Sequence, residues 1–310
     1  DSSSLQLTSV AGDLNLLADM ESNSGLKRHF PRFSSAYEQL LPAYYVLPSR
    51  VGVAALAGSV NIDERNIPLA TGSLTLSTNV LTLFPSTSSR IKLYAANGIK
   101  ARATAANVNE SLEIYLPDFL PQDLPSMENP VNSLRSRGQV AGILLPYGMN
   151  SDNLQFNHRS SRIERDESIA SRIVSLSGGI GSEDEAIMFR LPHRVEAYSG
   201  ADMTNASFVL QHNNDNDLST IVAAGDIRFT LDSRGNNLTT TGGTQVIQVA
   251  GPGDLLMQAG GNVELGASRG ILSIANDENR NLSANGASLH VYAGLRNTLY
   301  SDSFNLEGYR

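Results

Sequence analysis

One short phrase recurs along this chain, and it limits the possible folds more than any other feature. A glycine with Asp, Asn or Ser beside it is followed by residues that alternate apolar and polar. The phrase reads Ala11-Gly12-Asp13-Leu14-Asn15-Leu16 and then Leu56-Ala57-Gly58-Ser59-Val60-Asn61-Ile62. It returns as Ala224-Gly225-Asp226-Ile227-Arg228-Phe229, Gly253-Asp254-Leu255-Leu256-Met257 and Gly260-Gly261-Asn262-Val263-Glu264-Leu265. Glycine adopts backbone angles that other residues avoid, and Asp or Asn bonds its own backbone in a turn. The alternation that follows has the period of a strand. A turn and one short strand cannot bury their own apolar side, so the copies must stack. The phrase therefore predicts a solenoid.

The glycines Gly253, Gly261 and Gly270 give the solenoid its dimensions. Each interval between them holds one strand and one turn, so three strands complete a coil of ~20–25 residues, the parallel β-helix arrangement. With about 200 residues in coils, roughly nine rungs ~4.8 Å apart make a rod ~40–45 Å long. The alternation directs Leu255, Val263, Leu265, Ile271, Ile274 and Leu289 inward.

Three stretches differ in texture. Residues 1–106 are strand-like, interrupted at 27–48 by an aromatic and proline-rich segment. Phe30, Phe33, Tyr37, Tyr44 and Tyr45 lie there, and the segment is expected as a loop or short helix outside the stack. Residues 107–194 carry Pro117, Pro121, Pro125 and Pro130, which cannot donate to a central ladder. They read as one long insertion over the solenoid, with a short amphipathic helix at Ser168–Leu176. Residues 195–310 return to coils. Insertions of such length carry function or remain unstructured.

The chain has 310 residues, no cysteine, no tryptophan, a formal charge of -8 and a pI near 5.1. Zero cysteine excludes a disulfide framework, thiolate metal sites and a cysteine nucleophile. It also suits a chain exported unfolded through an oxidising compartment. No long basic run exists, which argues against nucleic acid and anionic membranes as partners. No apolar run approaches the ~18–20 residues of a membrane-spanning helix. The start Asp1-Ser2-Ser3-Ser4 lacks a methionine and a signal-peptide pattern, as expected of an internal or processed piece.

The segments Arg194–Asp202, Ile221–Ile227 and Val249–Gly266 resemble filamentous haemagglutinin repeats. The tract from Leu116-Pro117-Asp118-Phe119 through Leu124-Pro125-Ser126-Met127 to Asn129-Pro130 is similar to the interruption in large exoproteins of that family. The resemblance is strong over 194–295 and loose before it. It implies an all-β, right-handed parallel β-helix with loop and short-helix insertions, from the interior or C-terminal part of an adhesin. It implies two-partner secretion through an outer-membrane transporter, a place at the bacterial cell surface, and a receptor or glycan on a host or neighbouring cell. It also admits the stalk of a contact-dependent toxin. The amino-terminal secretion domain of the family is not recognisable here.

The rival reading is a polysaccharide lyase or hydrolase on the same scaffold. Such chemistry needs paired carboxylates ~5–10 Å apart. The candidates are Asp215 with Asp217, Glu183 with Asp184 and Glu185, and Asp277 with Glu278. All sit in polar turns, where acids serve as turn formers. The run Asn213–Asp217 is also rich in hard oxygen donors of the kind calcium takes, but it lacks the EF-hand spacing. The histidines His29, His158, His193, His212 and His290 are never closer than 19 residues, so no short zinc motif exists. Gly178-Gly179-Ile180-Gly181 has no following Lys-Ser/Thr, and Ser182 lies in no nucleophile-elbow motif. The expectation is therefore a non-enzymatic structural or adhesive protein without cofactor or metal. Its binding residues would be Phe30, Phe33, Tyr37, Tyr44 and Tyr45. Its ends would be covered by a longer chain or by self-association, because open strand edges pair.

Overall fold

The computed structural model describes residues 3–18, 46–68, 75–78, 80–83, 88–102, 112–116, 170–183, 185–230, 245–266, 268–275 and 283–295. Its strands fall into three sheets that the chain visits in turn. The first coil contributes Ser4–Ser9 to sheet I, Leu14–Ala18 to sheet II and Val46–Leu47 to sheet III. The second contributes Arg50–Ala55, Ser59–Pro68 and Val80–Leu83, and the third Arg90–Ala95, Gly98–Arg102 and Leu112–Tyr115. Ser171–Ser175, Ile180–Gly181 and Ile187–Leu191 make the fourth, and Val195–Ser199, Met203–Thr204 and Ala206–Gln211 the fifth. The sixth has Leu218–Ala223, Ile227–Arg228 and Ile247–Ala250, and the seventh Asp254–Ala259, Val263–Glu264 and Ile271–Ile274. Ser288–Tyr292 opens an eighth coil on sheet I.

Every pairing between coils is parallel, and each strand stacks on the strand of the same sheet one coil earlier. Among the described residues, Thr75–Thr78 alone pairs antiparallel, on the edge of Ser59–Pro68. The chain is a parallel β-helix solenoid. Rungs ~4.8 Å apart put the first and last strands of the eight-stranded sheet I roughly 34 Å apart.

The expected coil length is met where no insertion intervenes: Arg172 lies 24 positions from its partner Glu196. Elsewhere the interval grows while the register holds. It is 46 positions from Asn15 to Asn61, and 36 from Asp226 to Asn262. Longer connections leave at the corners, where extra chain costs little closure entropy.

Apolar residues of all three sheets form one core. On sheet I, Val53, Leu93, Ile173, Ala197, Ile221 and Met257 stack in register and are buried. On sheet II the row is Val60, Ile99, Ile180, Met203 and Ile227. On sheet III it is Leu81, Ile114, Phe189, Phe208 and Ile247, with the two rings stacked at 5.2 Å. A second cluster of Met188, Val209 and Val246, with Leu272 against it, lies on the outer side of sheet III. Strands Ile187–Leu191, Ala206–Gln211 and Ile247–Ala250 are consequently buried on both faces.

Several expectations change. Residues 107–194 are not one insertion: Leu112–Tyr115, Ser171–Ser175, Ile180–Gly181 and Ile187–Leu191 are coil strands. The helix expected at Ser168–Leu176 is a strand at Ser171–Ser175, in which Ile173 is buried and Arg172 exposed, the period-2 pattern of a sheet. Val46–Leu47, inside the aromatic segment 27–48, is also a coil strand.

Among the residues expected inward, Leu255 is buried, and Val263, Leu265 and Ile271 pack against the core. Ile274 stacks on Ala250 at the opposite parity, and Ser273 follows Val249. Leu289 sits in register on Leu255 yet is 38 % exposed, its strand being the last of sheet I among the described residues.

Candidate functional site

The phrase Ala-Gly-Asp builds one structural feature, the corner from sheet I to sheet II. Its polar residues stack from coil to coil. Asp13 Oδ1 accepts the Ser59 N–H at 2.7 Å, Asp202 Oδ1 accepts the Asp226 N–H at 2.9 Å, and Asp226 Oδ1 accepts the Asn262 N–H at 2.8 Å. Each carboxylate satisfies a backbone donor that the turn leaves without a ladder partner. At the same corner, the hydroxyls of Ser9, Ser175 and Ser199 donate to the carbonyls three residues on, at 2.8, 2.8 and 2.9 Å. The glycines permit this closeness. A Cβ on Gly178 would lie 1.4 Å from the Asn97 carbonyl oxygen, and one on Gly58 would lie 2.4 Å from Gly12. The copy Gly253-Asp254-Leu255 belongs to another corner, from sheet III to sheet I.

That other corner holds two buried serine–histidine pairs. Ser171 and Ser219 occupy an inward column of sheet I that Val51, Ile91, Val195 and Leu255 otherwise fill. Each hydroxyl accepts a backbone N–H from the coil before it, from Ile91 to Ser171 and from Val195 to Ser219, both at 3.1 Å. Each also meets a histidine Nε2 at 2.7 Å, Ser171 with His193 and Ser219 with His212.

The tautomer of His212 follows from its partners. Nδ1 lies 2.8 Å from the Pro252 carbonyl, which can only accept, so Nδ1 carries the proton. Nε2 then accepts from the Ser219 hydroxyl. Burial lowers the His212 pKa below its ordinary 6.5, against the bond to Pro252 and the charges of Asp217 and Asp254, which raise it. The constellation has the bonding of a nucleophile with its base, but Ser219 and His212 are both fully buried. It joins coils five, six and seven.

Two of the candidate carboxylates, Asp217 and Glu183, have structural partners. Asp217 is buried, and its Oδ2 accepts the N–H groups of Asn213 and Asn214 at 2.7 and 3.1 Å, which closes the 213–217 loop; Asp215 is exposed. Glu183 pairs with Arg228 at 2.6 Å, and Arg228 reaches Asp202 at 3.3 Å. Glu185 sits in a turn closed by Ser182. Arg190 and Glu113 form an ion pair within the buried outer side of sheet III.

Asp184, Asp277 and Glu278 lie outside the described residues, as do Phe30, Phe33, Tyr37, Tyr44, Tyr45, His29 and His158. Among the described residues no group of three or more His, Asp and Glu converges to hold a metal. No helix there is long and apolar enough to cross a membrane. The Ser–His pairs carry no sequence signature: His193 and Ser171 are 22 positions apart, and only the coil register brings them together.

Fold and corners place the chain in the class of parallel β-helix solenoids. Comparison with protein-family models, curated proteins and solved structures finds no match to it.

Proposed function

We propose that the chain is a rigid structural or adhesive rod of the bacterial cell surface, of the filamentous haemagglutinin kind, and that its corner insertions bind the partner. One observation carries this reading: the coil register continues unchanged across connections of very different length. Lys92 pairs with Arg172 and Tyr94 with Val174 across the long segment between them, as closely as Arg172 pairs with Glu196 one short coil on. A scaffold that tolerates insertion at its corners suits loops that diversify to bind. The aromatic residues at 30–45 and the segment 117–169 are the binding regions in this proposal. Export through a two-partner transporter and contact with a host or neighbouring-cell receptor belong to the same proposal and rest on the repeat resemblance.

The rival enzymatic reading is less favoured. Asp217 and Glu183 serve backbone and arginine partners, and the Ser–His pairs are sealed from substrate. The test replaces residues 117–169 by a short Gly-Ser linker. Beads coated with the variant should lose adhesion to target cells while the protein keeps its melting temperature. Retained adhesion would move binding elsewhere. Release of reducing or unsaturated sugar ends by the intact chain would establish the enzyme instead.

A further inference from the structure

The outward face of sheet I gathers charge that no run in the sequence reveals. Coils two to five present three outward columns of side chains along the rod. The first holds Arg50, Arg90, Ala170 and Arg194, in register. The second holds Gly52, Lys92, Arg172 and Glu196, and the third Ala54, Tyr94, Val174 and Tyr198. Five cations thus share this face with one carboxylate, in a chain whose formal charge is -8. Glu196 bonds Arg172 at 2.7 Å and touches Arg194 at 3.5 Å, so it offsets part of the excess. Lys92 and Arg172 are exposed, and Tyr198 is 40 % exposed.

Like charges directly opposed on neighbouring strands destabilise a sheet. This face nevertheless stacks Arg90 on Arg50 and Arg172 on Lys92, each one rung apart. Glu196 offsets the second contact only in part, and a polyanion along the rod would relieve both.

We propose that this face binds an extended acidic glycan lying parallel to the rod axis. The cations recur at the rung spacing of ~4.8 Å, close to the advance of one sugar in a ribbon-like chain. Tyr94 and Tyr198 stand in one column two rungs apart with Val174 between them. An extended β-1,4 chain turns each sugar over relative to the last, so the same face returns at every second sugar. Tyrosine rings at that interval offer a C–H stacking platform with a polar tip. Nucleic acid fits less well. A duplex groove is entered by a helix or a two-stranded ribbon, and this flat face presents neither. A single strand stacks successive bases on aromatic platforms, and here an aliphatic residue interrupts the tyrosines. The site is separate from the corner insertions, so it stands or falls without the adhesive reading of those segments.

The test measures binding of the full chain to poly-β-1,4-mannuronate at low salt, against β-1,4-mannan of equal length and a single-stranded oligonucleotide of equal charge. The polyuronate should bind, weaken steeply with added salt, and exceed both controls. The double variant Arg90→Ser/Lys92→Ser should bind about tenfold more weakly with unchanged melting, as expected when half-buried Arg90 and exposed Lys92 no longer face the polyanion. Tyr198→Ser should weaken binding to the polyuronate without altering its salt dependence. Lys100→Ser, on the exposed side of sheet II, should change nothing. Absence of polyuronate binding, equal binding by the double variant, or tighter binding of the oligonucleotide would each overturn the proposal.

Discussion

At the scale of single residues, the fold rests on stacked positions whose identity is set by parity. Ile221 is fully buried between Ala197 and Met257, so Ile221→Ala should cost about 2–5 kcal/mol by denaturant melts. Near the end of the stack the contrast is between neighbours. Leu265→Asp puts a carboxylate against the core and should lower the melting point sharply, while exposed Glu264→Lys should leave it nearly unchanged. Equal shifts would mean the alternation is misassigned. His212 supplies a pH dependence. Its folded pKa is depressed by burial, so the unfolded chain binds the proton more readily. Its contribution to stability is therefore complete above the unfolded value near 6.5 and is lost as pH falls below it. Wild type should lose more stability than His212→Gln between about pH 7 and about pH 5. Parallel curves for the two proteins would contradict the neutral, doubly bonded imidazole. The serine at the other end of that bond was not legible in the sequence, because a lone serine in an apolar alternation gives no sign of a histidine several residues away.

At the scale of elements, the corners were the legible part. Ala-Gly-Asp announces a turn and a strand, and the structure adds the reason for each residue: the glycine lets one coil lie on the last, and the Asp holds the next coil's amide. The glycine requirement should therefore depend on position. Gly178→Ala would drive a methyl into the Asn97 carbonyl and should destabilise by about 1–3 kcal/mol or prevent folding. Gly12→Ala, in the first coil, meets nothing nearer than the Ser9 hydroxyl at 4.0 Å and should be tolerated. Thermal melts of the two variants check the difference. The strands within 107–194 escaped the sequence reading because prolines and charges crowd the same stretch. Arg172 and Arg190 look like solvated charge in a linear text, yet Arg172 alternates with buried Ile173, and Arg190 is buried against Glu113. Sheet III was misleading in another way. Runs such as Ile187–Leu191 are buried on both sides, so they lack the alternation that marks a one-sided strand.

At the scale of the whole molecule, stacking converts distant sequence into neighbouring surface. The cation face of sheet I draws on Arg50, Lys92, Arg172 and Arg194, which no local window could join. The exposed Leu289 and Val291 of the last strand arise from the same geometry, since inward positions stay covered only where another rung lies over them. The central claim is that the coils stay in register across the longest connection. Because the chain has no cysteine, two introduced cysteines report on it without background. Tyr94 and Val174 are partners on neighbouring parallel strands, within the ~4.4–6.8 Å Cα separation a disulfide accepts. Mild oxidation of Tyr94→Cys/Val174→Cys should form an intramolecular bond in high yield, while Tyr94→Cys/Arg172→Cys, displaced by two residues along the strand, should not. Equal yields in the two proteins, or cross-linking only between molecules, would contradict the stacked register.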